Sequence, residues 1–133
     1  MPIKFFTLEE ANQLIPELRV ILTRIMEKRD KVASLQKEVH DIRKIVDNNG
    51  HNPAALGLVE KERELKELMN ALNEEVQKIH DLGCELKDIN MGLVDFPSLR
   101  EGRRIYLCWK LDEDEISYWH ELNTGFAGRQ PLF

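Results

Sequence analysis

Cysteine is scarce in this chain, and so is any long apolar stretch. Cys84 and Cys108 are its only two thiols. They stand too far apart for a Cys-x-x-Cys motif, and one pair does not make the disulfide framework of a small secreted domain. This predicts a cytoplasmic protein with reduced thiols. No uninterrupted apolar run approaches the roughly 18 residues needed to cross a bilayer. The start, Met1-Pro2-Ile3-Lys4-Phe5-Phe6, leads straight into Glu9 and Glu10, which is unlike a signal peptide or a membrane anchor. A basic excess is missing too. The formal charge of −5 offers no general attraction to phosphate backbones, which argues against nucleic-acid binding. Arg100, Arg103 and Arg104 are the only dense basic group.

What the chain does have is periodicity. Leu18, Ile21, Ile25, Lys28, Val32, Leu35, Val39, Ile42 and Val46 fall alternately three and four residues apart, a spacing that lines one stripe of a helix and requires burial against a partner. Thr7-Leu8-Glu9-Glu10 reads as a capping box opening a helix at Leu8. Pro16 removes a backbone donor within the helical pattern and predicts a kink. The long helix then runs from about Pro16 to about Val46, on the order of 45 Å. Asp47-Asn48-Asn49-Gly50-His51-Asn52-Pro53 reads as a loop, with Asn52 as the next N-cap and Pro53 in the first turn. A second series follows at Leu58, Lys61, Leu65, Leu68, Leu72, Glu75, Ile79 and Leu82, and Gly83 ends it. A short loop makes the two helices antiparallel, a coiled-coil-like hairpin arm over residues 1–83. Leu14, Ile15, Leu22, Met26, Val59, Met69 and Val76 widen the apolar stripes beyond a two-helix seam. That breadth predicts a homodimer through the hairpin.

After Gly83 the period changes to two. Leu93–Phe96, Arg104–Lys110 and Ile116–His120 predict three strands of a small antiparallel sheet over residues 84–133, giving an α+β fold. Pro97-Ser98 to Gly102 and Asp112–Glu115 are the expected hairpin turns, and the Gly-rich tail Gly125–Pro131 an expected loop. Ile3–Phe6, short and β-favouring, is expected to lie extended along the sheet.

Alternation puts Ile105, Leu107 and Trp109 on one face with Val94 and Phe96, and Tyr106, Cys108 and Lys110 on the other with Asp95. Which face of the third strand looks inward is open. If Trp119 is core, Asp95, Cys108, Tyr118 and His120 converge. Carboxylate, thiolate and imidazole are metal ligands, and histidine is the usual proton carrier near neutral pH. Asp95, Cys108 and His120 are therefore the candidate metal ligands, and Asp95, His120 and Glu121 the candidate catalytic groups. No His-x-x-His, His-Glu-x-x-His or paired-cysteine spacing supports a metal. The bland alternative is a hydrogen-bonded sheet histidine, a core cysteine and an aspartate paired with an arginine. Arg129, between Gly125 and Gly128 and the chain end, offers a planar fork for an anion, and Arg103 could help to hold one. The same glycines are more often expected of a tight turn, with Arg129 paired to a carboxylate.

The front, Phe5-Phe6-Thr7-Leu8-Glu9-Glu10-Ala11-Asn12 with Pro16-Glu17-Leu18, resembles the opening of a prokaryotic family known only as domain of unknown function 2203. Glu85–Asp88, Gly92–Pro97, Gly102-Arg103, Leu107–Trp109, Trp119–Glu121 and Gly125–Arg129 are similar to its C-terminal signature. The resemblance says little about activity, because the family has no established one, and it leaves the cofactor open. It does imply that the functional surface lies in the small sheet, with the arm as scaffold. Two functions fit these readings. The first is a non-catalytic, homodimeric interaction or assembly module, binding itself or another protein. The second is a small-ligand- or metal-binding enzyme with its polar site on the sheet.

Overall fold

A computed structural model describes residues 3–49 and 54–133. It has three helices followed by a five-stranded antiparallel sheet, so the fold is mixed α+β. The chain forms two compact units, Met1–Thr23 with Val76–Phe133 and Arg24–Glu75. This division runs through both long helices, whereas the period change in the sequence placed a boundary at residue 83.

Helix α1 (Leu8–Gln13) opens as its sequence demands. The Thr7 hydroxyl accepts from the Glu10 amide, and the Glu10 carboxylate accepts from the Thr7 amide, at 3.1 and 2.9 Å. Helix α2 (Ile15–Asn49) begins after a break at Leu14. The break precedes Pro16 by two residues and places that proline in the first turn of α2, where its absent N–H leaves no intrahelical bond unmade. Helix α2 extends to Asn49, so Asp47 to Asn49 are helical and not loop. Gly50, His51 and the Asn52-Pro53 helix start lie outside the described residues. Helix α3 (Ala54–Asp81) ends at Gly83, whose φ of +95° turns the chain out of the helix.

Within the 24–75 unit, α2 and α3 pack antiparallel. Arg24 bonds Glu75 at 3.0 Å, Glu38 bonds Lys61 at 3.1 Å, and Arg43 pairs with Glu62. Two of the three polar residues in the apolar series, Lys61 and Glu75, are thus cross-helix ion-pair partners. Val32, Leu35 and Leu58 are buried, while Val39, Ile42, Leu65, Leu68 and Leu72 stay half-buried, as two helices alone must leave them.

In the other unit the sheet order is β1-β2-β3-β4-β5, with β1 Glu85–Asp88, β2 Leu93–Arg100, β3 Arg103–Lys110, β4 Tyr118–His120 and β5 Gln130–Pro131. The sequence predicts three of these; β1 and β5 are additions. β5 is two residues long with a proline, too short for a period to register, and it pairs with β4 at an edge where the missing N–H is tolerated. The expected turn at Pro97-Ser98 is instead strand: Pro97 pairs with Tyr106 and Ser98 with Ile105. Pro97 points its carbonyl, and hence its N–H-less nitrogen, away from β3, so the ladder loses nothing there. That carbonyl accepts the Phe6 amide at 2.8 Å, and the Ser98 hydroxyl donates to the Phe6 carbonyl at 2.6 Å. Ile3–Phe6 therefore lies extended against β2 without being counted as a strand. The hairpin turns at Glu101 and Gly102, both at positive φ (53° and 77°), the backbone that two-residue hairpins require. Ile116 falls outside β4, because its amide donates to the Asn12 side chain at 2.9 Å.

The core of this unit includes Phe96, Trp109, Leu107, Trp119, Leu18, Leu22 and Ile79. Phe6 meets Phe96 edge-on at 5.4 Å. Arg19 straps the acidic turn by donating to the carbonyls of Leu111 and Glu113 at 2.7 and 2.6 Å, with its guanidinium 5.4 Å from the Trp109 ring. No helix among the described residues is long and apolar enough to cross a membrane.

Candidate functional site

Strand pairing assembles the site. Asp95 on β2 lies directly opposite Cys108 on β3, and His120 on β4 lies opposite Tyr106, one same-face position along from Cys108. Pleating sends all three side chains to one face. Trp119, opposite Leu107, goes to the other face with the apolar core, and both faces of β4 are buried. The carboxylate, thiol and imidazole ligand atoms lie within 4.8 Å of one another. Asp95 and His120 are each 2% exposed and Cys108 is fully buried.

The histidine's contacts constrain its protons. Nδ1 is 2.7 Å from the Glu121 carbonyl oxygen, an atom that can only accept, so Nδ1 carries hydrogen and donates. Nε2 is 2.9 Å from Asp95 Oδ2. A bare lone pair and a bare carboxylate would repel at that distance, so a positive centre, a proton or a metal ion, must lie between them. Asp95 Oδ1 has no hydrogen-bond partner though it is buried. Burial drives the Asp95 carboxyl above its ordinary value, and the His120 contact only partly opposes this. Burial, then the neighbouring Asp95 charge, pushes the Cys108 thiol up to about 12.

Of the other sequence candidates, Arg129 borders this cluster, its charge and a side-chain hydrogen bond opposing the rise of the Cys108 thiol. Glu121 contributes its carbonyl to His120, while its carboxylate pairs with Arg103 at 2.7 Å. Arg129 Nη2 bonds both carboxylate oxygens of Glu113 at 2.7 and 2.9 Å and the Cys108 carbonyl at 3.2 Å. Its guanidinium lies 4.1 Å from the Tyr118 ring and 5.0 Å from Phe126, so Tyr118 is a platform for Arg129. Gly125 has φ +62°, and a Cβ on Gly128 would come within 2.3 Å of the Thr124 side chain. Both glycines serve a tight 3-10 turn at Phe126–Gly128. Arg100 lies over Trp119 at 4.8 Å and Arg104 over Phe5 at 5.3 Å; with Arg103 on Glu121, the basic group is dispersed onto separate partners. Sequence reasoning missed Glu113, which accepts from Arg129 and from the Lys110 amide at 2.8 Å. Within a run of four acidic residues nothing marks it out. It also missed Tyr106, whose ring lies 5.4 Å from that of His120.

The family profile described as "Uncharacterized conserved protein (DUF2203)" matches residues 4–132. No curated protein and no solved structure matches the chain.

Proposed function

The chain belongs to the uncharacterised DUF2203 family, and within it we propose a non-catalytic metal-binding module that holds a divalent transition metal between Asp95, Cys108 and His120. The observation that carries the reading is the convergence of these three donors within 4.8 Å. Its donor set, one sulfur, one nitrogen and one or two oxygens, suits a borderline ion of the zinc class. The Nδ1–H bond to the Glu121 carbonyl is the outer contact that metal-bound histidines usually make, because it presents Nε2 as the lone pair. Thiolate and carboxylate together balance a dication. Asp95 Oδ1, otherwise without a partner, would gain one. Donor pairs around a tetrahedral zinc are roughly 3.3–3.8 Å apart, so binding needs the widest pair to close by about 1 Å and the 2.9 Å His120–Asp95 pair to open by a few tenths of an ångström, both within reach of small side-chain rotations. Burial of all three donors supports a structural or regulatory ion over one that meets a substrate.

The test is to titrate chelator-treated protein with Co2+ and Zn2+. One equivalent should bind with a thiolate-to-cobalt charge-transfer band, lost in Cys108→Ser and His120→Ala. Absence of that band in folded wild-type protein leaves the cluster as a hydrogen-bonded core triad and ends the metal reading.

A second reading is self-association of the 24–75 helices in the cytoplasm, with a second copy as the partner. It is favoured by the half-buried Leu65, Leu68 and Leu72 and the exposed Ile45, Val59 and Met69, a broader apolar surface than two helices cover. Light scattering after size exclusion should give twice the chain mass; a monomer at every concentration rejects it.

A further inference from the structure

A concavity sits in the unit that holds the sheet, where residues 3–5, the end of α3 and the β2–β3 hairpin meet. It encloses about 340 Å3, near the lower end of small-molecule sites. Two cations border it, Lys4 and Arg104. Neither has a carboxylate within ion-pair distance among the described residues. Each instead lies over an aromatic ring, Lys4 Nζ 4.8 Å from Phe6 and the Arg104 guanidinium 5.3 Å from Phe5. Ring faces attract the charge but leave the N–H donors free for a ligand.

The one lining carboxylate is already engaged. Glu85 contacts Lys87 at 3.5 Å and takes the hydrogen bond of the Tyr106 hydroxyl, which, with burial, pushes that phenol up to about 12. The carbonyls of Lys78, Ile79 and His80 at the end of α3 are satisfied too, because Leu82 donates to Lys78 and Ile79, Gly83 to His80 and Cys84 to Ile79. The polar character left at the rim is cationic, in a chain whose net charge is −5. The remaining wall is apolar, with Phe5 half-buried and Ile3 and Leu122 52% and 54% exposed.

We infer that this cavity binds a small monocarboxylic acid with an aliphatic or aromatic tail, its carboxylate on Arg104 and Lys4 and its tail against Phe5 and Leu122. A bare inorganic anion would leave the apolar wall wet, and a neutral hydrocarbon would leave the two cations without a counter-charge. The inference is independent of a metal at Asp95, Cys108 and His120, which lie outside the lining.

Hexanoate, hexan-1-ol and inorganic phosphate are titrated into the full chain, followed by amide NMR shifts. Hexanoate should give saturable shifts at Glu85, Ile105, Tyr106 and Leu122, and bind at least tenfold more tightly than hexanol or phosphate. Arg104→Gln, at an exposed position, should weaken hexanoate at least fivefold while leaving the melting temperature unchanged, and Lys4→Gln should do likewise. No saturable binding, hexanol or phosphate binding as tightly as hexanoate, or full affinity in both variants would each overturn it.

Discussion

Asp95 and His120, 25 residues apart in sequence, share a hydrogen bond of 2.9 Å while both side chains are only 3% exposed. Nothing local links them. β3 lies between their strands, and the diagonal across it closes the pair. Removing one member leaves the other buried without its partner, a loss of about 3–5 kcal/mol for a charged pair and less for a neutral one. In chelator-treated protein, Asp95→Ala and His120→Ala should each lower the urea midpoint strongly. The double variant should be much less destabilised than the sum of the two. Additive losses would mean the contact contributes nothing.

The capping box carries the clearest pH signature. Hydrogen bonds from the Thr7 amide and hydroxyl region hold the Glu10 carboxyl below its ordinary 4.5. A depressed native value means that the unfolded state binds the proton more readily. Glu10 therefore adds stability above pH 4.5, and that contribution disappears as pH falls through the native value. NMR titration should place the Glu10 midpoint below 4.5 in wild type and return it toward 4.5 in Thr7→Ala.

Cys84 is buried, and burial raises its thiol from 9.0 to about 12. At pH 8 this cuts the thiolate fraction about a thousandfold relative to the unfolded chain. Alkylation by iodoacetamide, mapped by mass spectrometry, should be negligible at Cys84 in native protein and rapid in denaturant. Comparable rates in both conditions would contradict its placement.

Gly92 and Gly102 both have positive φ, 61° and 77°, but differ in surroundings. A Cβ on Gly92 would meet Leu111 Cβ at 2.7 Å, whereas one on Gly102 would meet nothing within 4 Å. Gly102→Ala should cost about 1 kcal/mol from backbone strain alone. Gly92→Ala adds a core clash and should cost roughly 2–4 kcal/mol. Equal losses in urea unfolding would refute the contrast.

The candidate site was legible to a particular depth. Alternation alone places Asp95 on the face of Cys108, but their direct pairing follows from the tight turn at Glu101 and Gly102, which the sequence pattern spreads over Pro97 to Gly102. His120 was conditional, since β4 is only three residues long and a one-residue slip exchanges it with Trp119. The pairing of Trp119 with Leu107 and of His120 with Tyr106 removes the condition. Arg129 carried two readings in sequence, and its bonds to Glu113, 16 residues away, could be found only once the acidic turn had a location.

Local chemistry, readable along the chain, determined where α1 begins and where α3 ends, that α2 and α3 carry apolar stripes, and which strand residues share a face. Capping boxes, positive-φ glycines and hydrophobic periods act over a few residues, so they survive in a one-dimensional record. Tertiary structure alone decided that Pro97 continues a strand, that the tail adds β5, and that a carboxylate, a thiol and an imidazole meet in the dark of the sheet. Each of those outcomes depends on a partner from a distant segment supplying or sparing a hydrogen bond, and no sequence spacing encodes that distance.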